Sequence, residues 1–232
     1  MKNILLIGGS YGIGLAIAKE LQNKNNLFIA SRSNDNLSDV NATHISFDAI
    51  TDTIDTLLLP TVIDGLVYCP GSINLRPFKG LKPEVFETDL QLNFISLVKV
   101  IQSVLPNLLA AEQASIVMFS SVAATMGMPF HTSVAASKGA IEGFAKALAA
   151  EYAPKIRVNV IAPSLTDTPL ADKFLNNETK QEKSAERHPL KRVGKPEDNA
   201  QMACFLLSDK SSWITGQIFH VDGGMSTLLL NG

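Results

Sequence analysis

A chain of 232 residues, 46% of them hydrophobic, suits one domain with a sizeable buried core. Its 20 basic and 22 acidic residues nearly cancel to a formal charge of −2, which excludes the basic footprint of a nucleic-acid binder. No uninterrupted apolar run approaches the roughly 18 residues of a membrane span. The start MKNILLIGG runs too directly into glycines for a signal peptide. Two cysteines, Cys69 and Cys204, support neither a disulfide framework nor a zinc site. The expectation is a soluble cytoplasmic protein, without nucleic acid, membrane or metal.

Short apolar runs alternate along the chain with longer helical patterns. Residues 3–7 (NILLI) predict a strand and 13–23 a helix. Residues 27–31 and 43–47 predict two more strands, and 64–71 (DGLVYCPG) a fourth, followed by a helical stretch over 83–109. A fifth strand is expected at 114–121, then a helix over 131–151, a sixth strand at 155–164 and a seventh at 216–224. Nearly continuous apolar strands suit a parallel sheet covered on both faces. Repeated strand–helix alternation therefore predicts an α/β fold: one doubly wound (Rossmann) domain over 1–232, with a seven-stranded parallel sheet and helices on both faces. The Arg32–Asn41 stretch has room for one short helical turn or none, and 49–63 for a short helix.

The segment LLIGGSYGIGLAIAKEL sets Gly8, Gly12 and Gly14 between a strand and a helix. Such a turn lets backbone approach a pyrophosphate, and the helix start offers unpaired N–H groups and a positive dipole end. Glycine also marks ordinary turns, so the strand–turn–helix context matters more than the pattern. At the end of the second strand stand Ser31 and Arg32, with no acid before Asp35. A guanidinium there suits the 2′-phosphate of NADP(H), the alternative being a solvated loop arginine.

These residues resemble the short-chain dehydrogenase/reductase family over essentially the whole chain. The glycine turn is similar to that family's T-G-x-x-x-G-x-G, with Ile7 in place of threonine. YCPG (68–71) keeps only the glycine of N-N-A-G; FSSV (119–122) and SKGAIEGFAKALAAE match the serine and lysine segments. APSLTDTPL (162–170) resembles P-G-x-x-x-T, with Ser164 replacing glycine, and the tail from Arg192 to Gly224 carries a specific signature. The resemblance implies cofactor contacts at Gly8, Ser10, Tyr11, Gly12, Ile13, Gly14, Ser31 and Arg32, and at Asp48 beside the adenine. It implies further contacts at Cys69, Pro70, Gly71, Lys138, Pro163, Thr166 and Thr168. It makes Ser121 and Lys138 catalytic, and gives Asn93 a supporting part in a proton relay. It makes 168–192 a mobile substrate lid, and assembly as a homo-oligomer, dimer or tetramer, is implied too. FAKALAA (144–150) would suit helix packing between subunits or burial within one.

The family's Y-x-x-x-K reads V-A-A-S-K here, with Val134 at the tyrosine position. Tyr152 lies beyond Lys138 at the helix end, and Tyr68 and Tyr11 are expected in cofactor-side loops. Valine has neither donor nor acceptor. His131, three residues ahead of Val134, would share its face if the helix begins there. Histidine is a suitable acid near neutrality. Otherwise it sits in the loop, with Thr132 or Ser133 as cap. The reading is an NADP(H)-dependent oxidoreductase acting on an alcohol/carbonyl pair with an atypical proton donor. The alternatives are an NADP(H)-binding sensor or scaffold without turnover, and a reductase of conjugated C=C bonds.

Overall fold

A computed structural model describes residues 1–229. The strands are β1 (Lys2–Ile7), β2 (Asn25–Ser31), β3 (Thr43–Ser46), β4 (Gly65–Tyr68), β5 (Ala114–Phe119), β6 (Ile156–Pro163) and β7 (Ile218–Val221). They form one seven-stranded sheet in the order β3-β2-β1-β4-β5-β6-β7. Every pairing is parallel, with Ile7 opposite Ala30 on one side and Tyr68 on the other. The chain moves outward from β1 to β3, then returns to β4 and moves the opposite way. The switch point therefore lies between the carboxyl ends of β1 and β4, where this topology opens a crevice.

Strand alternation splits the core into two layers. Leu5 and Ile7 of β1 face one cluster, Ile4 and Leu6 the other. The first layer is covered by α3 (Ser96–Leu109) and α4 (Thr132–Tyr152), the second by α1 (Gly12–Leu21) and α7 (Pro196–Leu207). Fully burying one Leu or Ile contributes about 1.5–3 kcal/mol, so both helical layers are firmly held. Within 144–150, Ala145, Leu148 and Ala149 are buried in the protein's own core, and Phe144 packs edge-on against Phe94 at 5.6 Å.

The departures from the expected elements have local causes. β4 stops at Tyr68 rather than at residue 71: Cys69 N–H still bonds Ile7 O, but Pro70 has no N–H to continue. Tyr68 is thus a buried strand residue and not a loop residue, its hydroxyl donating to Leu92 O at 2.8 Å. β7 is shorter than 216–224 because Gly216, Gly223 and Gly224 take positive φ (70°, 63° and 87°) at its two ends. The 32–41 stretch holds no helix, and 49–63 holds one 3-10 turn at Thr56–Leu58.

The helix expected over 83–109 is interrupted by a π turn, Gln91–Ile95, between α2 (Pro83–Leu90) and α3. By length and composition alone Pro83–Leu109 could cross a membrane. Its apolar stripe, Leu97, Val100, Ile101, Val104 and Leu108, is instead packed into the core. The remaining short helices are α5 (Asp172–Leu175) and α6 (Glu178–Glu186).

Candidate active site

Loops at the carboxyl ends of β1, β2, β4, β5 and β6 enclose a cleft of about 1330 Å³. Single-ligand pockets run to roughly 300–1,000 Å³, so this one has room for a nucleotide and a second molecule. At one end the turn after β1 approaches the start of α1. Tyr11, in the N-cap position, makes no side-chain cap, and the first turn has no acid. The first N–H groups of α1 therefore face the cleft without a protein acceptor from the cap, which fits an anionic group. Gly14 is required by contact: an added Cβ would lie 2.3 Å from Gly8 O. Gly8 and Gly12 take positive φ, 79° and 51°, which favours glycine at both.

Ser10, Tyr11, Ile13, Ser31, Arg32 and Asp48 line the same end. Arg32 makes no ion pair among the described residues. Tyr11 Oη lies 3.2 Å from Ser33 Oγ and 3.4 Å from Asp35 Oδ2, closing the rim beside it. Cys69, Pro70 and Gly71 form the floor, and Pro163, Thr166 and Thr168 the far wall. Burial pushes the Cys69 thiol up to about 12, so it is a neutral S–H group at ordinary pH.

The other end is built by β5 and α4. Ser121, just past β5, accepts Ala123 N–H at 3.2 Å through Oγ, leaving its own proton for a ligand. Lys138 is buried and donates from Nζ to Phe119 O at 2.8 Å, so two further N–H bonds remain. Burial lowers its pKa to about 8, opposed by Cys69 and Asp89. Nζ also lies close above Gly71, 3.3 Å from where a Cβ would stand. Val134, 4% exposed, shares the lining with Lys138 one helical turn away.

His131 stands at the N-cap position (φ −103°, ψ 12°), so it precedes the helix rather than sharing its first turn. Neither Thr132 nor Ser133 caps: both lie inside α4, and the buried Ser133 Oγ has no partner. His131 nevertheless lines the cleft, and its Nδ1 lies 2.7 Å from Pro129 O. Because a carbonyl can only accept, Nδ1 carries a proton and Nε2 is the nitrogen that can exchange one. Asn93 does not line the cleft. The π turn rotates it inward, where Nδ2 donates to Ser72 Oγ (3.0 Å) and Ser137 Oγ (2.9 Å) and Oδ1 accepts Ser72 N–H (3.1 Å). It fastens the loop after Gly71 to α4.

Several lining residues escaped the sequence reading. Ser164 Oγ lies 2.8 Å from His188 Nε2, and His188 Nδ1 lies 2.8 Å from Ser184 O. Lys173, Lys180, Lys183 and Arg187 line the cleft from α5 and α6. The only signal was their spacing: Lys180, Lys183, Ser184, Arg187 and His188 recur at three or four residues, one side of a helix.

Comparison with known proteins agrees with this architecture. Residues 8–226 match the protein family described as Enoyl-(Acyl carrier protein) reductase. The chain is 34% identical, over 243 aligned positions and 97% of both chains, to a 3-oxoacyl-(acyl-carrier-protein) reductase of Chlamydia trachomatis. It is 33% identical over 171 positions to a Xanthobacter autotrophicus protein named inactive 2-(S)-hydroxypropyl-CoM dehydrogenase 2, covering 72% of this chain and 74% of that one. The crystal structure of a short chain dehydrogenase family protein from Francisella tularensis superposes with a TM-score of 0.89 at 29% identity, covering 98% of this chain and 100% of that one. The chain belongs to the short-chain dehydrogenase/reductase family, whose members are NAD(P)(H)-dependent oxidoreductases.

Proposed function

We propose that this protein reduces a small ketone or aldehyde with NADPH, that Val134 occupies the family's tyrosine position, and that His131 supplies the proton. The observation that carries the reading is the single cleft in which the Gly8–Gly14 turn, Ser121, His131, Val134 and Lys138 meet. The relative's 3-oxoacyl substrate, named above, supports a keto carbonyl as the reacting group.

The nucleotide supplies the hydride when bound; the protein's part is to place and protonate. The turn and the start of α1 would hold the pyrophosphate, and Arg32 the 2′-phosphate. Gly8, Ser10, Tyr11, Gly12, Ile13, Gly14, Ser31 and Asp48 surround the adenosine half. Cys69, Pro70, Gly71, Pro163, Thr166 and Thr168 bound the nicotinamide half. Lys138 holds the ribose hydroxyls with the N–H bonds that Phe119 leaves free. Ser121 donates a hydrogen bond from its hydroxyl to the substrate oxygen and keeps its proton. His131, protonated at both nitrogens, gives the Nε2 proton to that oxygen as negative charge develops there. Asn93 is a positioning residue that fixes the Gly71–Ser72 loop. The 168–192 segment is the lid. Gly139 and Gly143 on α4, where an added Cβ meets nothing within 4 Å, support close packing of a second copy in a dimer or tetramer.

NADPH absorbance followed over a panel of ketones, aldehydes and enones tests the reading. Ketone-dependent consumption supports it; tight NADPH binding with no consumption of any class overturns it. A second reading, nucleotide binding without turnover, is favoured by the apolar side chain at Val134 and by the relative whose name marks it inactive.

Two predictions follow for single residues. Arg32→Ala weakens NADPH binding about ten- to hundredfold, the loss of a charge-assisted contact, and leaves NADH binding unchanged. Titration calorimetry with both coenzymes reads the difference. His131→Ala lowers kcat by about 10²-fold. An unchanged kcat in the variant would remove His131 from the mechanism.

A further inference from the structure

Charge is unevenly placed around the cleft. Among the described residues the only carboxylates on its wall, Asp35 and Asp48, lie beyond β2 and β3 on the adenine side of the switch point. The opposite side, under the segment that follows β6, carries Lys173, Lys180, Lys183 and Arg187 and, among the described residues, no acid. Helix α6 accounts for the asymmetry. Lys180, Lys183 and Arg187 occupy its cleft-facing side, whereas Glu178, Glu182 and Glu186, four residues apart, occupy the other.

Two of the cations are committed to the protein. Lys173 Nζ donates to Ile73 O at 2.9 Å, and Lys180 Nζ to Lys173 O at 3.0 Å and Asn176 Oδ1 at 2.8 Å. Lys183 and Arg187 are not. Neither forms an ion pair among the described residues, although glutamates adjoin both in the chain. They are four residues apart, a spacing at which like charges repel. Their helix is also held in place: His188, 3% exposed, follows Arg187 directly and is fixed between Ser164 Oγ and Ser184 O. Two like charges are thus held side by side above the substrate half of the cleft, with no ion-pair partner among the described residues.

We infer that Lys183 and Arg187 form the recognition site for an anionic group of the substrate, so that the carbonyl compound reduced here carries a carboxylate or a phosphate. Arg187 offers a forked donor pair and Lys183 a point charge, a combination suited to either oxyanion. The inference rests on the proposed reductase reading for the identity of the ligand, but not for the existence of the site.

Paired compounds differing in charge test it: acetoacetate against methyl acetoacetate, and glyceraldehyde 3-phosphate against glyceraldehyde. At saturating NADPH the charged member of at least one pair is favoured about ten- to hundredfold in kcat/KM. The pair showing the larger ratio tells carboxylate from phosphate. In the Lys183→Ala/Arg187→Ala double variant that ratio collapses towards one, because kcat/KM falls for the charged member far more than for the neutral one.

Calorimetric titration of the same compounds into the NADP⁺-loaded protein gives a readout without turnover. Preferential binding of the charged member, lost in the double variant, supports the site even if no compound is reduced, an outcome that would sink the reductase reading alone. Equal affinity within both pairs overturns the inference, as does a preference that survives the double substitution. So does a loss of NADPH affinity in the double variant, which would assign the two cations to the coenzyme.

Discussion

The Val134→Tyr variant is expected to reduce the same ketones about 10²- to 10⁴-fold faster than the wild-type chain, the usual contribution of a general acid. Val134 lies one turn before Lys138 on the cleft wall, so a phenol placed there projects into the space beside Nζ. The Lys138 ammonium would stabilise phenolate and lower the phenol's pKa towards the working range. Ser121, with its proton free, would bind the same substrate oxygen. The larger side chain carries an overpacking cost of about 1–3 kcal/mol, visible as a lower Tm. Measuring kcat at saturating NADPH beside Tm separates the two effects, since the rate should now become insensitive to His131→Ala. A gain below about tenfold would show that proton delivery does not limit the wild-type rate, and would count against the assigned vacancy.

Lys138→Met is expected to move stability and coenzyme binding in opposite directions. Burial drops the Lys138 pKa from 10.5 to about 8, so the folded state holds the ammonium less readily than the unfolded chain does. Below pH 8 both states are protonated and the whole penalty is present. Between pH 8 and 10.5 the folded state has released a proton that the unfolded state keeps, so stability rises with pH; above that range the penalty is gone. Methionine fills similar space without charge, and loses the bond to Phe119 O. The coenzyme-free variant should therefore be about 1–3 kcal/mol more stable at neutral pH, with the advantage fading by pH 10.5. Its NADPH affinity should fall about ten- to hundredfold through loss of the ribose contacts. Denaturant unfolding across pH and coenzyme titration check the two halves separately. A destabilised variant at pH 7 would mean that the ammonium is better accommodated than its burial implies.

What could be read in the chain, and what could not, follows from how far each feature reaches. The central strands were visible because strands buried on both faces must be apolar nearly throughout, as the all-buried Gly65–Tyr68 and Ala114–Phe119 are. The glycine turn and the Val134–Lys138 pair were visible because each depends on short-range spacing, across one strand–helix junction or one turn of α4. Asn93 was harder. Its helical pattern continues unbroken, and only the extra residue of the π turn swings it away from the cleft. Tyr68 is the last residue of β4, so its side chain enters the core rather than a cofactor-side loop. Ser164 and His188 could not be paired at all, since they are 24 residues apart on different elements and meet only through the fold. The cations of α6 were in view but mute: exposed charge is ordinary, and which side faces the cleft depends on how the helix docks.

The bond between Ser164 and His188 also bears on attempts to retarget this scaffold. A chimera that exchanged 168–192 for the matching segment of a relative would bring in new side chains above the reaction centre but leave Ser164 behind, on the recipient's side of the splice. Without a histidine to meet it, the serine would lose its partner, and a transplanted helix without its own anchor would sit at an angle set by neither parent. The segment and residue 164 are therefore best treated as a single exchangeable cassette, and directed-evolution libraries that randomise one should include the other.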